Sequence, residues 1–168
     1  GEIYLMTKKI LITLFISFFL TANVFSAGSN DNDSSKTKTN YDKAVSQINL
    51  AKKYEKNGKT KKANKKYEKA LQFLTKSNIE KPNNPDTLNY LGFTTRKLGD
   101  FSNGEKYYLQ GLAINPNHIG INEYLGELYV ATNRINLAKE RLEVLKNCEC
   151  KEYVDLKEII EGIKKSKY

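Results

Sequence analysis

The pair Leu91-Gly92 returns 34 residues later as Leu125-Gly126. Around these pairs, the segments Pro85 to Pro116 and Ile119 to Cys150 carry apolar residues at three-and-four spacing, the pattern of helices with one buried face. A period of this length predicts stacked helix–turn–helix units, each too small to bury its apolar face alone. Such an array presents a surface rather than a reactive centre.

The spacing predicts three helical pairs, at about 42–81, 85–117 and 119–147. In the middle pair, Leu88, Leu91 and Thr95 mark the first helix, and Gly99-Asp100 the turn. Phe101, Gly104, Tyr107, Tyr108, Gly111, Leu112 and Ile114 mark the second helix. Asn84 is placed to cap the pair and Pro85 to open it, because proline's missing N–H costs nothing at the first helical position. Asn115-Pro116-Asn117 ends it. The third pair runs through Tyr124, Leu125, Leu128 and Tyr129, then Ala138, Leu142 and Leu145, with Asn133-Arg134 in the place of Gly-Asp. Asparagine tolerates the left-handed conformation that this turn needs. The first pair uses Leu50-Ala51, Tyr54 and Gly58, then Ala63, Tyr67, Ala70 and Leu71. Its offset from Leu50 to Leu91 is 41, and the excess falls in Leu74 to Pro82, as a longer helix or an inserted loop. Gly92, Gly126, Ala63 and Ala138 stand where helices must cross closely. Tyr153, Leu156, Ile159, Ile160 and Ile163 form an apolar stripe that suits a capping helix over about 151–165, with Asp155 among the charged residues facing away.

The first residues read differently. Met6-Thr7-Lys8-Lys9, an apolar run from Ile10 to Leu20 and the small residues of Thr21 to Ala27 have the layout of a secretory signal, with cleavage expected after Ser26 or Ala27. The alternative is an uncleaved anchor, but the run is shorter than the ~20 residues of a spanning helix. Gly28 to Asn40 has no large apolar residue and is expected to be a disordered tether. Residues 41–168 are then one repeat domain, exported to the periplasm.

Charge is uneven along the chain. Lys36 to Lys81 holds 14 lysines against Asp42, Glu55, Glu68 and Glu80, whereas Pro82 to Tyr168 holds 12 basic and 12 acidic residues. The excess admits an anionic partner such as an envelope lipid or polymer, or else a solvated lysine-rich face. Nucleic acid is a poor partner for an exported chain. Arginine, whose planar fork makes specific phosphate clamps, occurs only as Arg96, Arg134 and Arg141.

On these residues the chain resembles the tetratricopeptide repeat family. The run PDTLNYLGFTTRKLGDFSNGEKYYLQGLAINPN from Pro85 carries the family's Leu-Gly pair (Leu91-Gly92), its Gly-Asp-aromatic turn (Gly99-Asp100-Phe101), its large second-helix residue (Tyr108) and its closing proline (Pro116). It departs at Leu88, Thr95, Gly104 and Gly111, and Cys150 replaces the closing proline of the third pair. A narrower likeness, in YLGFTTRKLGDF, INPNH and NEYLGELYV, is to small exported repeat proteins of alphaproteobacteria. The resemblance implies an all-α fold, antiparallel helix–turn–helix repeats stacked as a short right-handed solenoid. It also implies a concave groove lined by the first helix of each pair.

By that alignment the groove takes in Lys52 and Lys56, then Asn89, Phe93 and Arg96, then Glu123 and Glu127. The expected guest is a protein or peptide segment positioned by Asn89, Arg96 and Glu127, with Phe93 as apolar anchor. Residue by residue, the competing reading is an ordinary solvated face. Some family members clamp a peptide's terminal carboxylate with Lys and Asn at these positions; Asn89 fits that scheme, whereas Ile48, Glu123 and Glu127 do not.

Enzymatic signals are missing from the sequence. His118, the sole histidine, follows Asn115-Pro116-Asn117 in a turn and reads as a surface residue. No Gly-rich phosphate loop and no nucleophile–base pair is evident, so neither catalysis nor a cofactor is expected. Cys148 and Cys150 are the only cysteines. Their Cys-x-Cys spacing is not the Cys-x-x-Cys of oxidoreductases, and without clustered histidines they cannot fill a metal site. In an oxidising compartment they are expected to pair as a staple between the third pair and the capping helix.

Overall fold

A computed structural model describes residues 37–166. These form α1 (Asn40–Lys56), α2 (Thr60–Glu80), α3 (Pro85–Lys97), α4 (Phe101–Ile114), α5 (Ile119–Ala131), α6 (Ile135–Leu145) and α7 (Lys151–Ile160), with no strand among the described residues. Consecutive helices pair as α1–α2, α3–α4 and α5–α6, each pair packs on the next, and α7 packs on α5 and α6. The signal-like segment and most of the expected tether lie outside the described residues. No helix among those described is long and apolar enough to cross a membrane.

Local chemistry accounts for the boundaries. Thr39 and Asp42 form a reciprocal capping box at the start of α1, so order reaches into the last residues of the stretch read as a tether. Asn84 accepts from the Thr87 N–H to start α3, with Pro85 following. The three intra-pair turns each place one residue in the left-handed region: Gly58 (φ 69°), Gly99 (φ 95°) and Asn133 (φ 59°). Asparagine thus does the work of glycine in the third turn.

The extra length of the first pair is helix rather than loop. α2 runs for 21 residues against 14 in α4. Nothing breaks it before Pro82, and Ala70, Leu74 and Ser77 carry its buried face onward at helical spacing. The longer α1 meets it: Asn40 Nδ2 donates to Glu80 Oε1 at 2.5 Å.

Leu91 and Leu125 are buried (1% and 0% exposed), but Leu50, at the matching position of the first pair, is 41% exposed. Leu91 packs into the cluster supplied by the preceding pair, including Ile48, Tyr67 and Leu74. Among the described residues no pair precedes α1, so Leu50 faces water. Of the residues that mark α4, Gly104, Tyr108, Gly111 and Leu112 are buried, whereas Phe101 and Ile114 are exposed at its ends.

Ala138 is wholly buried among Tyr108, Leu125 and Leu128. Ala138→Phe is expected to destabilise by about 1–3 kcal/mol through overpacking, read as a lower thermal midpoint.

The last helix is shorter than its stripe suggests. It ends at Ile160, Gly162 turns the chain at φ 73°, and Ile163 is 72% exposed. Asp155 does not face away: it is 4% exposed and bonds Lys151 and Lys164. Burial alone would raise its pKa, but the two ammonium groups overcome burial and hold it at about 2, below its ordinary 3.8. A depressed carboxylate stabilises the fold above its unfolded pKa and loses that contribution as pH falls. Stability should therefore fall between pH 3.8 and about 2. Asp155→Asn is expected to flatten that part of a pH–melting curve.

Candidate binding surface

One helical register brings the candidate site together. Lys52 on α1, Phe93 on α3 and Glu127 on α5 occupy equivalent places in the three pairs. The Lys52 ammonium sits 4.7 Å from the centre of the Phe93 ring. Arg96, one turn beyond Phe93, reaches Glu127 Oε2 at 3.7 Å and donates to the Tyr124 carbonyl at 2.5 Å. Lys97 extends the line back to α1, its Nζ 2.6 Å from Glu55 Oε1, and Glu55 also accepts from the Tyr67 hydroxyl at 2.9 Å. Burial first, and then that bond to Glu55, push the Tyr67 pKa up.

The electrostatics are those of an enclosed face. The side chains of Arg96 and Glu127 are both 0% exposed, so the solvated-face reading fails at these positions. The guanidinium lies 5.8 Å and 5.9 Å from the ring centres of Tyr108 and Tyr124, where cation–π attraction adds to the ion pair. Phe93 is 2% exposed, with Tyr67 edge-on at 5.9 Å and Tyr124 tilted against it at 5.0 Å. It is therefore part of the packing between pairs rather than an open anchor. Asn89 and Glu123 are also buried. Asn89 lies beside Gly120: a Cβ on that glycine would stand 2.8 Å from Asn89 Nδ2. Ser166, beyond α7, comes within 3.4 Å of Glu127 Oε2. Lys56 alone is apart, exposed in the last turn of α1.

His118 has a role that its sequence context did not announce. It is the N-cap of α5: Nδ1 accepts from the Ile121 N–H at 3.1 Å, and Nε2 is 3.0 Å from Asp86 Oδ1. The accepting Nδ1 makes Nε2 the N–H that donates to Asp86. His118 lies 34 residues after Asn84, the cap of α3, so the repeat period was the signal that could have found it. His118→Ala is expected to cost about 1 kcal/mol, whereas His118→Asn, which restores the residue type of the equivalent cap, should recover most of the melting temperature.

Cys148 and Cys150 are joined by a disulfide in the link between α6 and α7, where the staple was expected. No cluster of metal-ligating side chains occurs among the described residues.

Stacked helical pairs whose first helices align on one face define a tetratricopeptide repeat fold. The first such domain of Spaghetti (RPAP3), solved bound to the HSP90 peptide SRMEEVD, superposes with a TM-score of 0.52 at 23% identity, over 74% of this chain and 96% of that one. The first such domain of human RPAP3 gives 0.53 at 23% identity, over 75% and 98%. The Sgt2 domain from Aspergillus fumigatus gives 0.53 at 15% identity, over 71% and 78%. No family model matches the chain, and no curated protein does.

Proposed function

We propose that the chain is a non-enzymatic scaffold that holds an extended protein or peptide segment along α1, α3 and α5. The observation that carries this reading is the line of polar side chains, Lys52, Arg96 and Glu127, that three successive pairs contribute along their first helices. Stability alone does not call for it, because buried ion pairs contribute little compared with apolar packing of the same volume. Asn89 supports the same reading: its side chain is buried and its Oδ1 accepts no hydrogen bond. A guest N–H would satisfy that oxygen. The Spaghetti domain, solved with its peptide, supports a peptide as the kind of guest.

The charge order sets the guest's chemistry. Acidic groups suit the end near Lys52 and Lys56, and basic groups or donors suit the end near Glu123 and Glu127. Ile48, Glu123 and Glu127 disfavour a clamp for a terminal carboxylate. A guest reaching Glu127 displaces Ser166 from it. Export to the periplasm belongs to the same proposal and rests on the segment before Gly28. N-terminal sequencing of protein recovered from a Gram-negative envelope tests cleavage near Ser26 or Ala27.

The groove is tested by selecting peptides on the full chain from a random library and measuring their affinity. Arg96→Glu would disturb the fold, so exposed positions are the useful ones. Lys52→Glu with Lys56→Glu is expected to weaken a selected peptide by at least about tenfold at an unchanged melting temperature. Equal affinity for the charge-reversed protein would remove the groove from consideration.

A further inference from the structure

We propose that the tip of the first helical pair is a docking surface for a bilayer carrying anionic phospholipid. The surface adjoins the inner groove at Lys56, and its other lysines lie outside the groove, so it does not depend on a guest there. From Lys53 to Lys69 the chain has eight lysines and only two acids, Glu55 and Glu68. The turn between α1 and α2 gathers them at one end of the array. Residues 56–62 are all exposed, and a Cβ at Gly58 would meet nothing within 4 Å. The tip therefore projects into solvent.

Its charges are not neutralised within the domain. Among the described residues, Lys53, Lys56, Lys59, Lys61, Lys62, Lys65, Lys66 and Lys69 have no carboxylate within 4.0 Å, and Glu55 is already engaged by Lys97 and Tyr67. Elsewhere several cations are paired: Arg134 with Glu105, Lys146 with Glu143, Lys157 with Glu161, and both Lys151 and Lys164 with Asp155. α2 also begins with no acidic residue in its first turn, so the positive end of its dipole adds to the lysines rather than offsetting an acid.

The chemistry of the patch selects its partner. It has no arginine, so it lacks the planar fork that grips individual phosphates bidentately. Nor does it offer an aromatic platform for bases: Tyr67 is buried, and Tyr54 packs against the core. Flexible point charges on a convex tip suit a diffuse, laterally mobile layer of negative headgroups. No large apolar side chain is exposed between Lys52 and Lys69, so attachment is by charge alone and yields to salt.

The test uses the full chain with two kinds of vesicle, pure phosphatidylcholine and phosphatidylcholine with about 30 mol % phosphatidylglycerol, an anionic surface that attracts lysines. The apolar run Ile10 to Leu20 and its flanking Lys8 and Lys9 are common to the tip and control variants, so the difference between those variants reads the tip lysines. The anionic vesicles are expected to bind at least about tenfold more tightly in ~50 mM salt, with the preference gone by ~500 mM. Reversing Lys59, Lys61, Lys62 and Lys65 to Glu should abolish the preference at an unchanged melting temperature. The same four changed to Gln should weaken it, a milder set should the reversal impair folding. A control reversing the exposed Lys139, Lys146, Lys157 and Lys165 alters net charge equally and should keep the preference. Equal loss in tip and control variants would overturn the proposal, because net charge would then suffice. A parent that ignores anionic vesicles yet retards a random DNA duplex would overturn it in favour of nucleic acid.

Discussion

Arg96→Met is expected to destabilise the domain by about 3–5 kcal/mol, because it leaves the Glu127 carboxylate enclosed without its guanidinium. Both side chains are 0% exposed, so water cannot take over as solvent for the charge left behind. The substitution also removes the bond to the Tyr124 carbonyl and the contacts with two tyrosine rings. Against a total stability of about 5–15 kcal/mol, a loss of this size should lower the melting temperature by more than about 10 °C. The companion double variant, Arg96→Met with Glu127→Leu, should recover most of the loss, since neither member of the pair is then charged. A single variant that melts within about 2 °C of the parent, well under the shift expected for such a loss, would show that Arg96 and Glu127 are not enclosed together.

The second large effect is at Gly92. A Cβ there would stand 2.5, 2.6 and 2.8 Å from three carbons of the Tyr108 ring. That ring is fully buried and has nowhere to turn. Gly92→Ala gains about 1 kcal/mol of helix propensity, but overpacking against a rigid ring should exceed it, giving a net loss of about 1–2 kcal/mol. Gly92→Leu should prevent the second pair from closing. Gly126 provides the internal contrast. It holds the same place one period later, yet its added Cβ meets the branched end of Leu156 at 2.6 Å. That end is flexible although Leu156 is buried, so Gly126→Ala should cost less than Gly92→Ala. Thermal melts of the two alanine variants distinguish the sites, and Tyr108→Leu should partly rescue Gly92→Ala.

Gly92 and Gly126 also mark the limit of reading a repeat. Their common spacing identified both as close crossings, and both are. What each crossing meets was not legible: the ring of Tyr108 on α4 in one case, the branched end of Leu156 on α7 in the other. Leu50, Leu91 and Leu125 show the same limit, because burial depends on whether a preceding pair is present to cover the residue. Of the candidate groove residues, the repeat alignment, offset by 41 and then 34 residues, placed Lys52, Phe93 and Glu127 in one register, and the fold sets Lys52 over Phe93 and Glu127 against Arg96. Their enclosure could not be foreseen, since it depends on how neighbouring tyrosines and Ser166 fill the space between pairs.

What the chain's order of residues determines by itself is local and periodic: helical pairing from apolar spacing, the cap at Asn84, left-handed turns at Gly99 and Asn133, and a basic first pair. These depend on interactions within a few residues, which sequence reports directly. Tertiary structure alone decided that Arg96 and Glu127 share a dry site, that His118 caps a helix while reaching Asp86, and that, among the described residues, ion pairs engage several cations of the second half while the first tip has none. Each of these joins groups up to dozens of residues apart, and their distances are set by how helices pack, a quantity that periodicity does not contain.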